Sequence, residues 1–456
     1  MFQPPTATEK KAIPAYLTRA ANLCSRGKKL AASPAGANFL WLAMDRGFRL
    51  FVALFIGSWS AQYLGPDNFG LLNFSMAIIA VFTAVAPLGM EGLAVRHIIQ
   101  EPLEAGKWLG TVVVFRGFAA TLFAFLAVAV SIIMRPHDSD KAIITGILGV
   151  GMAVQSLESG ELLFQARTQM RRLIIPRLCL SAALNAAKIV FILNGMPVFW
   201  FAAVTAIEQG GSGILTFLFM KSALGKNLRL RFHWISGVNL LKRCWPLAIS
   251  ALTVVVYMKA SQLIMNFTLS DRDLGIFAAG IRIPETMSFL PTILASSLLP
   301  NILRSKALGE QAYRMELLRY FRISSLVGYL VCLPLSIAAF PIINLLYKHE
   351  FQAASSIMMV YSWSFLFVCL GVARAQYLLN EGMTRLSLLF SAVGLVTNLA
   401  LNSVLIPRFG AIGSAYATVV SYAFAALGST FFVKSLRDVG KMQVMTLLAP
   451  WRLITN

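Results

Sequence analysis

Runs of twenty or more predominantly apolar residues recur along almost the whole of this chain, separated by Gly, Pro or clusters of charge. A hydrocarbon layer about 30 Å thick is crossed by about 20 residues of helix, so each run is long enough to span a membrane. The spans are expected at about 38–63, 68–95, 108–134, 141–166, 173–193, 197–220, 239–267, 273–303, 320–346, 353–380, 386–406 and 411–435. Strands do not fit, because a barrel strand alternates over roughly ten residues and these runs neither alternate nor stop there. With 57% hydrophobic and 13% charged residues in 456, the composition excludes a water-soluble protein. The expected fold is an all-α polytopic membrane protein of about twelve transmembrane helices in two pseudo-symmetric six-helix lobes.

The net charge of +21 would point to nucleic acid in a soluble chain. In a polytopic protein it points to cytoplasmic loops facing anionic lipid, and no nucleic-acid partner is expected. Lys and Arg alternate from loop to loop. Arg96, Lys107, Arg167, Arg171, Arg172, Lys221, Lys226, Arg229, Arg231, Arg304, Lys306, Arg314 and Arg319 fall on one side, against Arg135, Lys141, Arg272, Lys348 and Arg408 on the other. The bias predicts both termini in the cytoplasm. Residues 1–37 are polar and basic without an apolar h-region, so no cleavable secretory signal is expected. Within them, 15–32 reads either as a basic amphipathic surface helix or as a disordered leader that fixes topology. The five cysteines, including Cys24, are scattered without a CxxC and read as apolar core residues.

A faint repeat divides the chain. Pro66-Asp67-Asn68-Phe69-Gly70 before one helix is echoed 205 residues later by Asp271-Arg272-Asp273-Leu274-Gly275, with a weaker echo between 202–207 and 415–420. The longest internal polar connection lies between the sixth and seventh spans. The expected organisation is a basic segment 1–37, a six-helix lobe 38–221, a cytoplasmic linker 222–238, a second lobe 239–435 and a cytoplasmic tail 436–456. Such halves meet around a central site in transporters.

Ionisable residues inside the spans carry the functional signal. They are the basic Arg46, Arg49, Arg116, Arg177, Lys188, Lys259, Arg282 and Arg374 and the acidic Asp45, Glu91, Glu158, Glu161, Glu208 and Glu285. A Lys or Arg at the bilayer centre costs roughly 2.5–3.5 kcal/mol, so these groups snorkel, pair or line a wet cavity. Arg177 and Glu91 lie near helix ends and are expected to snorkel. Asp45 with Arg49, and Arg282 with Glu285, share helix faces at i,i+4 and i,i+3 and pair locally on that spacing. Arg46 and Arg49 form a cationic patch, and Arg177 and Lys188 project from one azimuth about 16 Å apart. Arg116, Lys259 and Arg374 have no local acid and stand between a cavity role and a structural one. Glu158 and Glu161 crowd two carboxylates onto one face, an arrangement that raises a carboxyl pKa and permits proton binding. Guanidinium forks and ammonium groups suit phosphate oxygens, so the expected cargo is anionic and phosphorylated. Pro284, Pro291, Pro334, Pro341 and the Gly210–Gly213 run read as hinges or as ordinary kinks.

Soluble chemistry has no signal. The four His fall in loops with no HExxH, no GxxxxGK[ST] is present, and no loop is large enough for a catalytic domain. No enzyme activity, cofactor or metal is expected.

Four segments resemble the Wzx-type O-antigen and polysaccharide flippases of the multidrug/oligosaccharidyl-lipid/polysaccharide superfamily: AQYLGPDNFGLLNFSMAI (61–78), PLGMEGLAVRHI (87–98), the stretch 257–302, and LNSVLIPRFGAIGSAYATVVS (401–421). The resemblance covers about 38–435. It implies alternating access and export of undecaprenyl-pyrophosphate-linked oligosaccharide from the cytoplasmic to the periplasmic leaflet of the bacterial inner membrane. It further implies membrane lipids as surroundings, and the polymerase and chain-length proteins of the same pathway as partners. Family members often carry an acid two residues after the basic residue of span 7; here Lys259-Ala260-Ser261-Gln262 has Ser261 instead, which leaves Lys259 freer to meet cargo. The candidate substrate-binding residues are Arg46, Arg49, Arg116, Lys188, Lys259, Arg282 and Arg374. Those for ion coupling are Asp45, Glu158, Glu161 and Glu285. The rival readings are a proton- or sodium-coupled drug or metabolite antiporter of the same superfamily and a membrane polysaccharide polymerase or ligase.

Overall fold

The computed structural model describes residues 34–136, 138–224 and 229–453, with the backbone alone at 34–43, 45, 46, 384, 452 and 453. The basic stretch 1–33, with Cys24, lies outside the described residues. Among the described residues the regular elements are all helices, and eleven are long and apolar enough to cross a membrane. The first of these is really two. Helix α1 (Pro34–Val85) has 52 residues, about 78 Å of helix, more than twice the thickness of a bilayer core. It breaks at Gly65 (φ 72°, ψ 168°), directly before Pro66. Proline bars helical geometry from the residue before it, and glycine accepts the positive φ without a Cβ clash. Counting the two arms of α1 separately gives the twelve spans read from the apolar runs.

The first half continues through α2 (Glu91–Gln100), α3 (Ala105–Met134), α4 (Ser139–Gln155), α5 (Glu161–Ala166), α6 (Arg171–Leu193) and α7 (Val198–Leu224). A 3-10 turn joins α4 to α5 at Ser156–Gly160. There Ser156 and Ser159 donate their hydroxyls to the carbonyls of Ala153 and Ser156 at 2.7 and 2.6 Å, a back-bonding pattern that bends helices. The second half comprises α8 (Trp234–Thr268), α9 (Asp271–Thr286), α10 (Phe289–Ala307), α11 (Glu310–Ile337), α12 (Ala339–Leu346), α13 (Ala354–Tyr361), α14 (Ser364–Asn380), α15 (Thr384–Phe409) and α16 (Ala411–Ala423). A π turn, Phe424–Gly428, then leads to α17 (Ser429–Phe432) and α18 (Arg437–Leu448).

The apolar core is one cluster at one face and two at the other, where the first of the two also takes in Leu240 and Cys244 of α8. At the Lys/Arg-poor face, Phe69, Phe74 and Phe201 of the first half pack in one cluster with Leu274, Phe277 and Phe351 of the second. At the Lys/Arg-rich face the clusters are separate, one around Leu109, Phe164 and Met220, the other around Tyr320, Phe321 and Leu370. Exposed Phe118, Phe125, Ile133 and Ile337 form part of an apolar exterior suited to lipid rather than water.

The sequence repeat lies at the shared face. A Cβ added to Gly70 would land on the Asp271 carbonyl, 2.9 Å from the Gly275 nitrogen; one added to Gly275 would land on the Pro66 carbonyl, 3.0 Å from the Gly70 nitrogen. Residues 66 and 70 correspond to 271 and 275 by the same offset of 205, so the contact is reciprocal, as a pseudo-twofold axis between the two glycines requires. Two helix N-termini meet there, positive end towards positive end. Asp67, Asp271 and Asp273 in the first turns offset that repulsion, and Ser270 with Asp273 closes a capping box.

Two connections complete the fold. The Arg231 N–H donates to the Gly106 carbonyl at 3.1 Å, and the absent side chains of Gly106 and Gly110 make room for Arg229 and Arg231, so the linker between halves lies on α3. Residues 437–448, read from sequence as tail, form α18 against α11 and α14. Tyr329 donates to the Leu447 carbonyl at 3.2 Å, and Gln443 to that of Leu370 at 3.4 Å.

Candidate substrate chamber

Two adjoining chambers lie beneath the glycine crossing, one of about 340 Å³ walled by the first half with Arg282 reaching in from the second, and one of about 410 Å³ between the halves. The first is walled by both arms of α1 with α4, α6, α7 and α9, and the second by α1, α8 and α9. Asn73, Met76 and Arg282 line both.

The charged groups of the chambers are paired across helices. Arg177 on α6 reaches Glu161 at 2.8 Å and Glu158 at 3.5 Å and donates to Thr216 on α7 at 2.8 Å. The bend between α4 and α5 places both carboxylates around this one guanidinium. Glu158 also accepts from Ser212 at 2.5 Å. Lys188, three turns further along α6, lies 3.7 Å from Glu208 of α7, which accepts a 2.5 Å hydrogen bond from Ser181. In the second chamber Lys259 of α8 meets Glu285 of α9 at 3.1 Å.

Arg282 differs. Its guanidinium stacks 5.7 Å over the Phe69 ring and fills the space that a side chain at Gly57 would take. Among the described residues no carboxylate lies within ion-pairing distance of it. A cation held on an aromatic face, where the two chambers join, keeps its hydrogen-bond donors for a guest.

Of the residues singled out from sequence, Arg49, Glu158, Lys188 and Arg282 line the first chamber, and Lys259, Arg282 and Glu285 the second. Glu161 lies behind Arg177. The side chains of Asp45 and Arg46, and so the expected Asp45–Arg49 pair, lie outside the described residues. Four expectations need correction. Arg177 does not snorkel: its α6 azimuth carries it into the first chamber beside Lys188. Glu285 pairs with Lys259 rather than with Arg282 on its own helix, so Lys259 has a partner despite Ser261. Arg116 does not line either chamber; it is buried on α3 and reaches Glu91 of α2 at 3.4 Å. Arg374 also lies elsewhere, 5% exposed on α14. It donates to the Ala425 carbonyl, to Ala426 at 3.3 Å and to Ser429 at 2.9 Å, and stacks 4.5 Å over Phe390. A π turn leaves carbonyls without their helical donor, and this guanidinium supplies the donors.

One cluster outside the chambers has no counterpart in the sequence reading. Lys141 is fully buried at the shared face, 2.5 Å from Asp271, 3.4 Å from Asp138 and 3.0 Å from Asn266, over the Phe74 ring. Arg135 donates to the carbonyls of Asn266 and Leu269 at 3.0 and 3.2 Å. These contacts tie α3 and α4 of the first half to the α8–α9 turn of the second. The only signal in the sequence was an isolated Lys on the Lys/Arg-poor side facing a doubled Asp.

The sequence profile of the family described as "polysaccharide biosynthesis protein" matches residues 61–356. The chain belongs to that family. A curated relative, the probable low-salt glycan biosynthesis flippase Agl15 of Haloferax volcanii, is 22% identical over 427 residues, covering 86% of this chain and 83% of the relative. Among solved structures, the lipid II flippase MurJ in an inward closed conformation superposes with a TM-score of 0.65 at 16% identity, covering 92% of each chain. An inward-facing multidrug resistance transporter of the MATE family and MOP superfamily gives a TM-score of 0.65 at 14% identity, covering 90% of this chain and 98% of that one. A MOP-superfamily transporter from Pyrococcus furiosus, described as having a binding pocket of reverse polarity, gives 0.59 at 16% identity, covering 92% and 98%. This member of the family is thus a multi-pass membrane protein with the fold seen in MOP-superfamily transporters.

Proposed function

We propose that the protein is a flippase that moves undecaprenyl-pyrophosphate-linked oligosaccharide from the cytoplasmic to the periplasmic leaflet of a bacterial inner membrane. The observation that carries this reading is Arg282, a cation without a carboxylate partner among the described residues, placed where the two chambers join. A pyrophosphate accepts the planar guanidinium fork at two oxygens, while the prenyl tail stays in lipid. Arg49, Lys188 and Lys259 supplement that field, as does Arg177, with Arg46 a further candidate from the sequence. Lobes 38–221 and 239–435, joined by the linker 222–238, rock about the glycine crossing, with both termini in the cytoplasm. In that orientation the described state is shut towards the periplasm and parted towards the cytoplasm, ready to load. An inside-negative potential favours outward movement of an anion by about 2.3 kcal/mol per charge per 100 mV. Proton coupling falls to the carboxylates whose cations a phosphate draws away, Glu158 and Glu161 from Arg177 and Glu285 from Lys259, with Asp45 a further candidate. Polymerase and chain-length proteins would receive the product.

A drug or metabolite antiporter of the same fold would need acidic groups free for organic cations, whereas Glu158, Glu161, Glu208 and Glu285 are each bonded to a Lys or Arg. The test is translocation of lipid-linked oligosaccharide in proteoliposomes. A hydrogen bond to a charged group contributes about 1.5–3 kcal/mol, so Arg282→Gln is expected to slow flipping by roughly 10- to 150-fold. An unchanged rate for a well-folded Arg282→Gln protein refutes the assignment.

A further inference from the structure

We propose that the α6–α7 wall of the first chamber holds the sugar end of the cargo and selects a non-acidic sugar, one that offers hydroxyl or amide N–H donors. The inference rests on the flippase reading and names the class of glycan it carries. Charge is the first observation. On that wall Arg177 is matched by Glu158 and Glu161, and Lys188 by Glu208. Arg49, opposite on α1, is not without a partner either. The cation left for the cargo is Arg282, which reaches the chamber from α9 and is taken by the phosphate. A uronic acid on the α6–α7 wall would meet the chamber-lining carboxylates Glu158 and Glu208, whose cations are already engaged, and a desolvated like-charge contact disfavours it.

The second observation is an excess of acceptors. Asn185, 1% exposed, spends its amide N–H groups on the Ser181 carbonyl at 2.8 Å and the Ser181 hydroxyl at 3.3 Å. Those donations fix the orientation of the amide and leave its Oδ1 buried without a donor; Gln209 Oε1 is left in the same way. Both side chains line the first chamber. A buried acceptor without a donor is unfavourable until a guest supplies one. Sugar hydroxyls and N-acetyl N–H groups do so, whereas an ionised carboxylate only accepts.

The test uses the full-length protein in proteoliposomes with two cargoes on the same undecaprenyl pyrophosphate: N-acetylglucosamine–glucose and N-acetylglucosamine–glucuronic acid. The neutral cargo is expected to cross at least tenfold faster, and Glu208→Gln to narrow the ratio by raising the rate of the acidic cargo. Equal rates, or a faster acidic cargo, overturn the selectivity and leave the flippase reading standing. If neither cargo crosses faster than in protein-free liposomes, and sugar-free undecaprenyl pyrophosphate neither binds nor raises the melting temperature, the flippase reading falls and this inference with it.

Discussion

Gly70→Ala tests the closed face with a single methyl group. The new Cβ would lie 2.7 Å from the Asp271 carbonyl carbon and 2.9 Å from the Gly275 nitrogen, against an ordinary contact of 3.4–4 Å. The obstacle is backbone on the opposing helix, which cannot rotate away as a side chain does, so the helices must separate. Overpacking of this kind costs about 1–3 kcal/mol. The cost falls on the closed state, because the three atoms nearest the methyl are all backbone of the opposing helix. A bias of that size shifts a two-state equilibrium by roughly 5- to 150-fold towards a form open at this face. Gly275→Ala must behave the same way, since its contact with Pro66 is the reciprocal one. Gly92→Ala is the control: nothing lies within 4 Å of its added Cβ. The assay is the distance between spin labels at Asn194, just past α6, and Arg408, in the last turn of α15, measured in nanodiscs on a background without the native cysteines. Both variants should gain a longer component that Gly92→Ala lacks. Distributions identical to wild type in both, with wild-type thermal stability, would refute the idea that the two repeats seal this face backbone to backbone.

Three further outcomes follow from named contacts. Lys141→Met removes the buried cation from between Asp271 and Asp138; breaking such a buried pair costs about 3–5 kcal/mol, so the melting temperature should fall, and an unchanged value would show that this cluster does not hold the halves together. Arg374→Leu leaves the π-turn carbonyls without their donors, at a cost of about 1–3 kcal/mol; it should lower stability while leaving the preference between cargoes unchanged, and an altered preference would return Arg374 to the chamber. Glu381, just beyond the α14 span, accepts a hydrogen bond from Lys306 at 2.8 Å, which holds its carboxyl below the ordinary carboxylate range. Its stabilising contribution is therefore full above the ordinary carboxylate pKa and lost as pH falls through the depressed folded-state value, so Glu381→Gln should flatten the acid limb of a melting-temperature profile, and an unflattened limb would count against the pair.

The sequence shows most where the physics is local. Apolar runs longer than a bilayer is thick dictate spans, and Gly65-Pro66 breaks α1 because Pro66 disfavours helical geometry at the residue before it and Gly65 accepts the positive φ. The Lys/Arg bias separates the face where the core is shared from the face where it is divided. The echo of 66–70 in 271–275 is visible as a pattern, but nothing in it says that the two copies touch. Partnerships are harder to read because they are tertiary. Arg282 and Glu285 share a helix face, yet Arg282 turns to Phe69 because Gly57, far away in sequence, leaves a slot for its guanidinium. Glu285 is then left to Lys259. Arg177 reads as an end-of-helix residue until the bend after α4 brings two carboxylates to it, and that bend rests on serine hydroxyls bonding back to the helix. Arg374 looks like a chamber cation only so long as the π turn that needs its donors is unseen.

The pattern of pairing also bears on how cargo is released. A chamber of unpaired cations would hold a pyrophosphate tightly in every state, and a guest bound equally well by both states shifts nothing and leaves slowly. Here Arg177, Lys188 and Lys259 each have a carboxylate within 3.7 Å. Drawing any of them to phosphate breaks an ion pair, so the net gain is the difference between two similar interactions. On the proposed reading Arg282, which has no carboxylate partner among the described residues, would bind without that exchange, and its stack on Phe69 sits next to Gly70 of the crossing. When the halves part at that crossing, Phe69 moves with the second arm of α1 and Arg282 with α9. On the proposed reading the strongest hold on the cargo is built from elements that would separate as the face opens, and the re-formed ion pairs of α6 and α8 would compete for what remains.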